Sequence, residues 1–134
     1  MKEIIRTSKA PEPIGPYSQA IRANGFVFVS GQIPIRPDTG LVAEGGIDVQ
    51  THQVIRNLSA VLKAAGSGLN GVVKTTVFLS NLDDFAKFNQ IYGEYFSEAK
   101  PARATVQAAR LPKEVLVEVE AVAIADITED QTAF

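Results

Sequence analysis

The stretch that decides the fold is Pro101–Ala125, PARATVQAARLPKEVLVEVEAVAIA. Two strand-like runs lie in it, separated by a turn. In the first, Arg103, Thr105 and Gln107 share one face, and Ala102, Ala104, Val106 and Ala108 share the other. This is the period-2 pattern of a half-buried strand. In the second run, Val115, Val117, Val119, Ala121 and Ala123 point one way, and Leu116, Glu118, Glu120, Val122 and Ile124 the other. Leu111-Pro112-Lys113 breaks the two runs, because proline cannot donate to a ladder. Glu118 and Glu120 therefore sit in the middle of an otherwise apolar strand, where carboxylates need a reason.

Arg103 and Glu118 are the candidates for chemistry. A guanidinium offers a planar fork that grips a carboxylate or phosphate with two parallel hydrogen bonds. A carboxylate among valines has its pKa raised by burial and can serve as a general acid or base. The same two residue types also make structural ion pairs across sheets and subunit boundaries, and residue types alone leave that alternative open.

Working outward, Lys2–Thr7 reads as a short strand. Pro11, Pro13 and Pro16 make Ala10–Pro16 an extended loop, and Tyr17 leaves it directly. Asn24-Gly25, between Ser18–Ala23 and Phe26–Ser30, predicts a two-residue hairpin turn. Pro37–Gly40 is a further turn. Val54, Ile55, Leu58, Val61, Leu62 and Ala65 form one helical face, with Asp48 as the expected N-cap and Gly66 as the stop. Val72–Leu79 reads as a buried strand. Capping side chains in Ser80–Asp83 then open a second helix, with the stripe Phe85, Phe88, Ile91, Tyr92, Tyr95 and Phe96. From Thr128 onward the chain reads as a loose tail. The order β-β-β-α-β-α-β-β predicts an α+β domain spanning 1–134, with two helices on one face of a mixed sheet. The opposite face carries Val122 and Ile124 with nothing left in the chain to cover it, which predicts oligomerisation.

Composition narrows the classes. The 134 residues suit one domain with a real core. There is no cysteine, so disulfides, thiolate nucleophiles and cysteine metal sites are excluded. No apolar run is long enough for a membrane span, and the start lacks the apolar core of a signal peptide. The expectation is a cytoplasmic protein with no membrane partner. A net charge of −2 without a basic cluster gives no support to nucleic-acid binding. His52 is the only histidine and has no ligand set for a transition metal. Gly66–Gly71 matches G-x-G-x-x-G by letter, but it closes a helix rather than opening one, so it is read as a loop.

Several motifs, in order and without large gaps from about residue 4 to 125, resemble the Rid (YjgF) family of reactive intermediate/imine deaminases. They are Ile14–Ala20, Val29–Pro34, Val73–Leu79 followed by Asp84-Phe85 and Asn89, Pro101–Val106, Ala109–Pro112 and Val117–Ala123. The resemblance implies a trimeric chorismate mutase-like fold with ligand clefts between subunits of a homotrimer. It implies hydrolysis of 2-imino acids such as 2-iminobutanoate and 2-iminopropanoate to a 2-keto acid and ammonia, with no cofactor and no metal. Residue by residue, it implies that Arg103 holds the substrate carboxylate, assisted by the backbone N–H of Thr105. It makes Glu118 the group that handles water and proton, and places Tyr17, Ser30, Gly31 and Asn89 along the cleft. Many relatives carry cysteine at the position of Thr105, so a catalytic thiol is excluded here. Glu120 shares the face of Glu118, roughly 7 Å away at strand rise, and is read as structural. A regulatory trimer that binds small carboxylates without turning them over is the alternative from another class. A ribonuclease reading, attached to some relatives, finds no basic groove and only an isolated histidine.

Overall fold

The computed structural model describes residues 1–127; the expected tail from Thr128 lies outside the described residues. The strands are β1 (Glu3–Ile5), β2 (Ala20–Ala23), β3 (Phe26–Gln32), β4 (Val72–Leu79), β5 (Ala102–Gln107) and β6 (Val117–Ile124). The helices are α1 (Ile47–Ala64) and α2 (Phe85–Phe96). They build one six-stranded sheet in the order β1-β2-β3-β6-β4-β5. Only β4 and β5 pair in parallel; the other neighbours are antiparallel, so the sheet is mixed.

Local chemistry accounts for the punctuation. Asn24 and Gly25 both have positive φ, 51° and 80°, as a two-residue turn with the right twist requires. That turn sets the β2–β3 register, Ala23 opposite Phe26 and Ala20 opposite Val29. At the end of α1, Gly66 at φ 78° lets its own N–H reach Lys63 O (3.1 Å) and the Ser67 N–H reach Leu62 O (2.9 Å). Carbonyls of the last turn are satisfied in this Schellman arrangement. At the start of α1 the sequence expectation is corrected. The N-cap is Gly46, and Asp48 lies inside the first turn without a capping hydrogen bond, where its charge meets the positive end of the helix dipole.

The core lies between the helices and one face of the sheet. Val54, Ile55, Leu58, Val61 and Leu62 of α1, with Phe88 and Phe96 of α2, are sealed against Val27, Val77, Val117 and Val119. Polar side chains fix the loops above it. Buried Gln19 gives its amide to the carbonyls of Thr7 (3.0 Å) and Pro11 (2.9 Å) and accepts from Thr7 N–H (2.7 Å). Asn57, inside α1, holds the carbonyls of Ile33 (3.1 Å) and Ile35 (2.9 Å).

Two features differ from what adjacency in sequence suggests. The runs on either side of Pro112 do not pair; β4 lies between β5 and β6. The connection turns through Pro112–Glu114, with Lys113 and Glu114 at positive φ, and Gln50 Oε1 receives the Leu116 N–H at 2.8 Å. Second, the sheet face away from the helices is open. Phe26, Phe28, Val106 and Ile124 are each more than a third exposed. Among the described residues no helix is long and apolar enough to cross a membrane.

Candidate functional site

Register places Arg103 and Glu118 on opposite faces. Arg103 aligns with Thr75, and Thr75 with Ala121, both buried on the helix side. Glu118 aligns with Phe78, and Phe78 with Val106, on the open side. Since side chains alternate along a strand, one protomer divides the predicted residues into two groups.

The first group surrounds Arg103 on the edge strand β5. Its Nη1 donates to Asn89 Oδ1 at 2.8 Å. Its guanidinium carbon stands 4.8 Å from the Tyr92 ring centroid and 5.5 Å from that of Phe85. Guanidinium faces favour aromatic rings, so the two rings and Asn89 together restrict the fork. The Tyr92 hydroxyl is buried against Thr75 Oγ1 at 2.7 Å. Burial pushes the Tyr92 phenol up, with Thr75 and Arg103 pulling it back, so the ring carries no charge against the guanidinium at neutral pH. Thr105 lies two residues along on the same face, and its Oγ1 is buried without a partner among the described residues.

The second group joins Glu118 to Gly31 and, through the chain next to Gly31, to Ser30 and Tyr17. Its carboxylate lies directly against Gly31: a Cβ at position 31 would overlap Oε2 and come within 2.9 Å of Cδ. Glycine is needed at this position for proximity rather than for an unusual backbone angle. Burial raises the Glu118 pKa, and the nearby charge of Glu120 raises it further. Ser30 donates its hydroxyl to Ser18 O at 2.5 Å, which ties β3 to the segment leaving Tyr17. Tyr17 is half exposed, accepts the Ile14 N–H at 3.4 Å, and lines a small hollow of about 30 Å³ together with Gly31 and Gln32.

Sequence reasoning thus singled out Arg103 and Asn89, which meet, and Gly31 and Glu118, which meet. It missed Phe85 and Tyr92, which read as core because their spacing is that of a helix stripe. No local signal links them to a strand residue. His52 pairs through Nδ1 with the Tyr95 hydroxyl at 2.6 Å, away from both groups. Among the described residues no cluster of histidine and carboxylates could hold a metal ion.

The class so defined is a two-helix, mixed-sheet α+β domain with a bracketed arginine on its edge and a half-buried carboxylate on its open face. Comparison with known proteins makes the class specific. The family model described as Endoribonuclease L-PSP matches residues 7–125, and this chain belongs to that family, the Rid (YjgF) proteins. It is 58% identical over 123 residues to a RutC family protein of Pyrococcus horikoshii, covering 92% of this chain and 98% of that one. It is 44% identical to the mouse 2-iminobutanoate/2-iminopropanoate deaminase, covering 92% of each. Among solved structures, a Rid family protein from Yersinia pestis superposes with a TM-score of 0.91 at 48% identity, covering 93% of this chain and 100% of that one.

Proposed function

We propose that this protein is a cofactor-independent hydrolase of reactive 2-imino acids, with 2-iminobutanoate and 2-iminopropanoate as substrates. The observation that carries the reading is the Glu118 carboxylate, packed on Gly31 with its pKa raised by burial. A carboxylate so placed exchanges a proton nearer neutrality than an ordinary one. The mouse relative's activity points to the same substrate class.

The chemistry asks little of the protein. A protonated imine is already an electrophile at C2. Arg103, with one donor spent on Asn89, offers its others to the substrate carboxylate as a bidentate clamp, and the Thr105 backbone N–H assists. Tyr17, Ser30, Gly31 and Asn89 line the cleft. Ionised Glu118 takes a proton from water as its oxygen bonds to C2. The protonated Glu118 then gives that proton to the nitrogen of the carbinolamine. The C–N bond breaks and ammonia leaves; the remaining hydroxyl proton passes to it, giving ammonium and the 2-keto acid with Glu118 ionised again. Orientation and one acid/base group are sufficient for such a step.

Because Arg103 and Glu118 lie on opposite faces of one chain, a working cleft needs a second copy. The open face bearing Phe26, Phe28 and Ile124 supplies a reason to associate, and we assign the assembly as a homotrimer with clefts between subunits, in the cytoplasm. A threonine dehydratase releasing the enamine in situ provides the test. Added protein should speed loss of the imine and release of 2-oxobutanoate and ammonia. Unchanged imine lifetime, with 2-oxobutanoate still binding, would leave the regulatory carboxylate-binding trimer instead. The ribonuclease reading suggested by the family description finds no support at His52, which is engaged by Tyr95.

A further inference from the structure

A groove of about 410 Å³ on the outer side of α1 shares no residue with either half of the candidate site. That volume lies within the range of small-molecule sites. Ala60 and the Tyr95 ring form its wall, above buried Ile55 and Leu69. Lys9, Arg56 and Lys63 stand around it, and no carboxylate lines it. None of these three cations takes part in an ion pair among the described residues. The cleft around Arg36 is different: its guanidinium is paired with Asp38 and Glu44 lines the same space, so that cleft favours neither sign. A cationic rim on an apolar wall, in a chain of net charge −2, selects an anion with an apolar body.

The wall is rigid. The Tyr95 hydroxyl is tied to His52, and the two rings meet edge to face at 69°. A fixed ring face suits an aromatic ligand, which stacks offset upon it. Arg56 and Lys63 lie seven residues apart on one helix face, with Ala60 between them, so an aryl group over Ala60 would have cations on either side. Glu94, the neighbour of Tyr95 on α2, bears on the Tyr95 phenol but does not line the groove.

We propose that this groove binds an aryl carboxylate, its ring against Tyr95 and Ala60 and its carboxylate on the Arg56 fork, with Lys63 and Lys9 adding to the field. The site stands independently of the deaminase reading.

The probe is 4-phenylbutyrate, titrated into the isotope-labelled full chain carrying Arg103→Ala, so that binding at the Arg103 site cannot contribute. We expect saturable amide shifts confined to residues 55–63, Leu69 and Tyr95. The uncharged 4-phenylbutan-1-ol should bind at least about tenfold more weakly, a difference of about 1.4 kcal/mol. Arg56→Gln combined with Lys63→Gln, both at the surface, should weaken the acid by a similar factor and leave the alcohol unchanged. Absence of saturable shifts up to about 10 mM, weaker than the millimolar range, would overturn the proposal. So would equal affinity for acid and alcohol, or shifts produced only by an acidic amphipathic peptide, which would make the groove a protein-docking surface.

Discussion

Glu118 illustrates how one residue's surroundings set its chemistry. Its alternation among valines is legible in the sequence; its contact with Gly31, 87 residues earlier, is not, because a strand register brings them together. If Glu118 carries the proton, Glu118→Gln should lower kcat about 10²–10⁴-fold, the usual worth of a positioned acid/base group, with KM much less affected. The same substitution should act on stability in the opposite direction. A folded-state pKa above the unfolded one means that ionisation costs the native state: the stabilising contribution is complete below the unfolded pKa and is lost as pH rises through the folded value. Glu118→Gln should therefore raise the melting temperature at neutral pH, and the difference should shrink on acidification below the unfolded carboxylate pKa. A constant difference across pH would show that Glu118 is not desolvated. Activity should fall on acidification earlier than for an ordinary carboxylate base, since protonation removes the base. Gly31→Ala separates position from chemistry. The added methyl meets the far end of a flexible side chain, so the fold should persist while the carboxylate is displaced. Circular dichroism unchanged with kcat reduced at least about tenfold, or 1.4 kcal/mol in barrier, is the expected pair of results; unimpaired turnover would free Glu118 from its present place.

At the scale of elements, the order and type of every strand and helix could be read from periodicity, since each buries a face of its own. Pairing could not. The runs flanking Pro112 are neighbours in sequence, yet β4 intervenes, because the parallel β4–β5 pair is made through α2 rather than through a hairpin. This crossover places α2 over the edge strand and brings Phe85, Asn89 and Tyr92 to Arg103. The start of α1 also departs from its sequence reading: Asp48 is a good capping residue type, but the chain turns at Gly45-Gly46 and the helix begins two residues earlier than a cap at Asp48 would place it. The α2 bracket has a measurable consequence. Arg103→Lys keeps the charge but loses the fork and its fit between two rings. If Arg103 clamps the substrate, KM for the imino acid, or Kd for a 2-keto acid, should rise by about 1.5–3 kcal/mol, the worth of hydrogen bonds to a charged group. Asn89→Ala should give a smaller rise, because the fork remains but loses one tether. Titration calorimetry with 2-oxobutanoate reads both, and affinity unchanged in Arg103→Lys would remove Arg103 from the site.

For the whole molecule, the two faces of the sheet have different fates. One is sealed by α1 and α2. The other shows Phe26, Phe28, Val106 and Ile124 to solvent, with Lys74 and Glu120 among them. The unpaired apolar positions on the last strand made this open face legible in the sequence, and with it the expectation of association. The division of the site between two faces was not, since it follows from the parity of aligned residues across three strands. That division yields the sharpest prediction. In a cyclic trimer whose contacts are head-to-tail, each cleft would take Arg103 from one copy and Glu118 from the next. Arg103→Ala and Glu118→Gln should each be inactive alone. Unfolded together and reassembled in equal amounts, they should regain activity, since a cleft that draws Arg103 from the Glu118→Gln chain and Glu118 from the Arg103→Ala chain has both native groups. Random mixing gives that arrangement in about one cleft in four, so turnover should recover to roughly a quarter of the native value. No recovery, in a mixture shown by native mass spectrometry to hold mixed trimers, would mean that both groups serve the same cleft from one chain, with Arg103 reaching around the β5 edge; activity in either variant alone would remove that residue from the reaction.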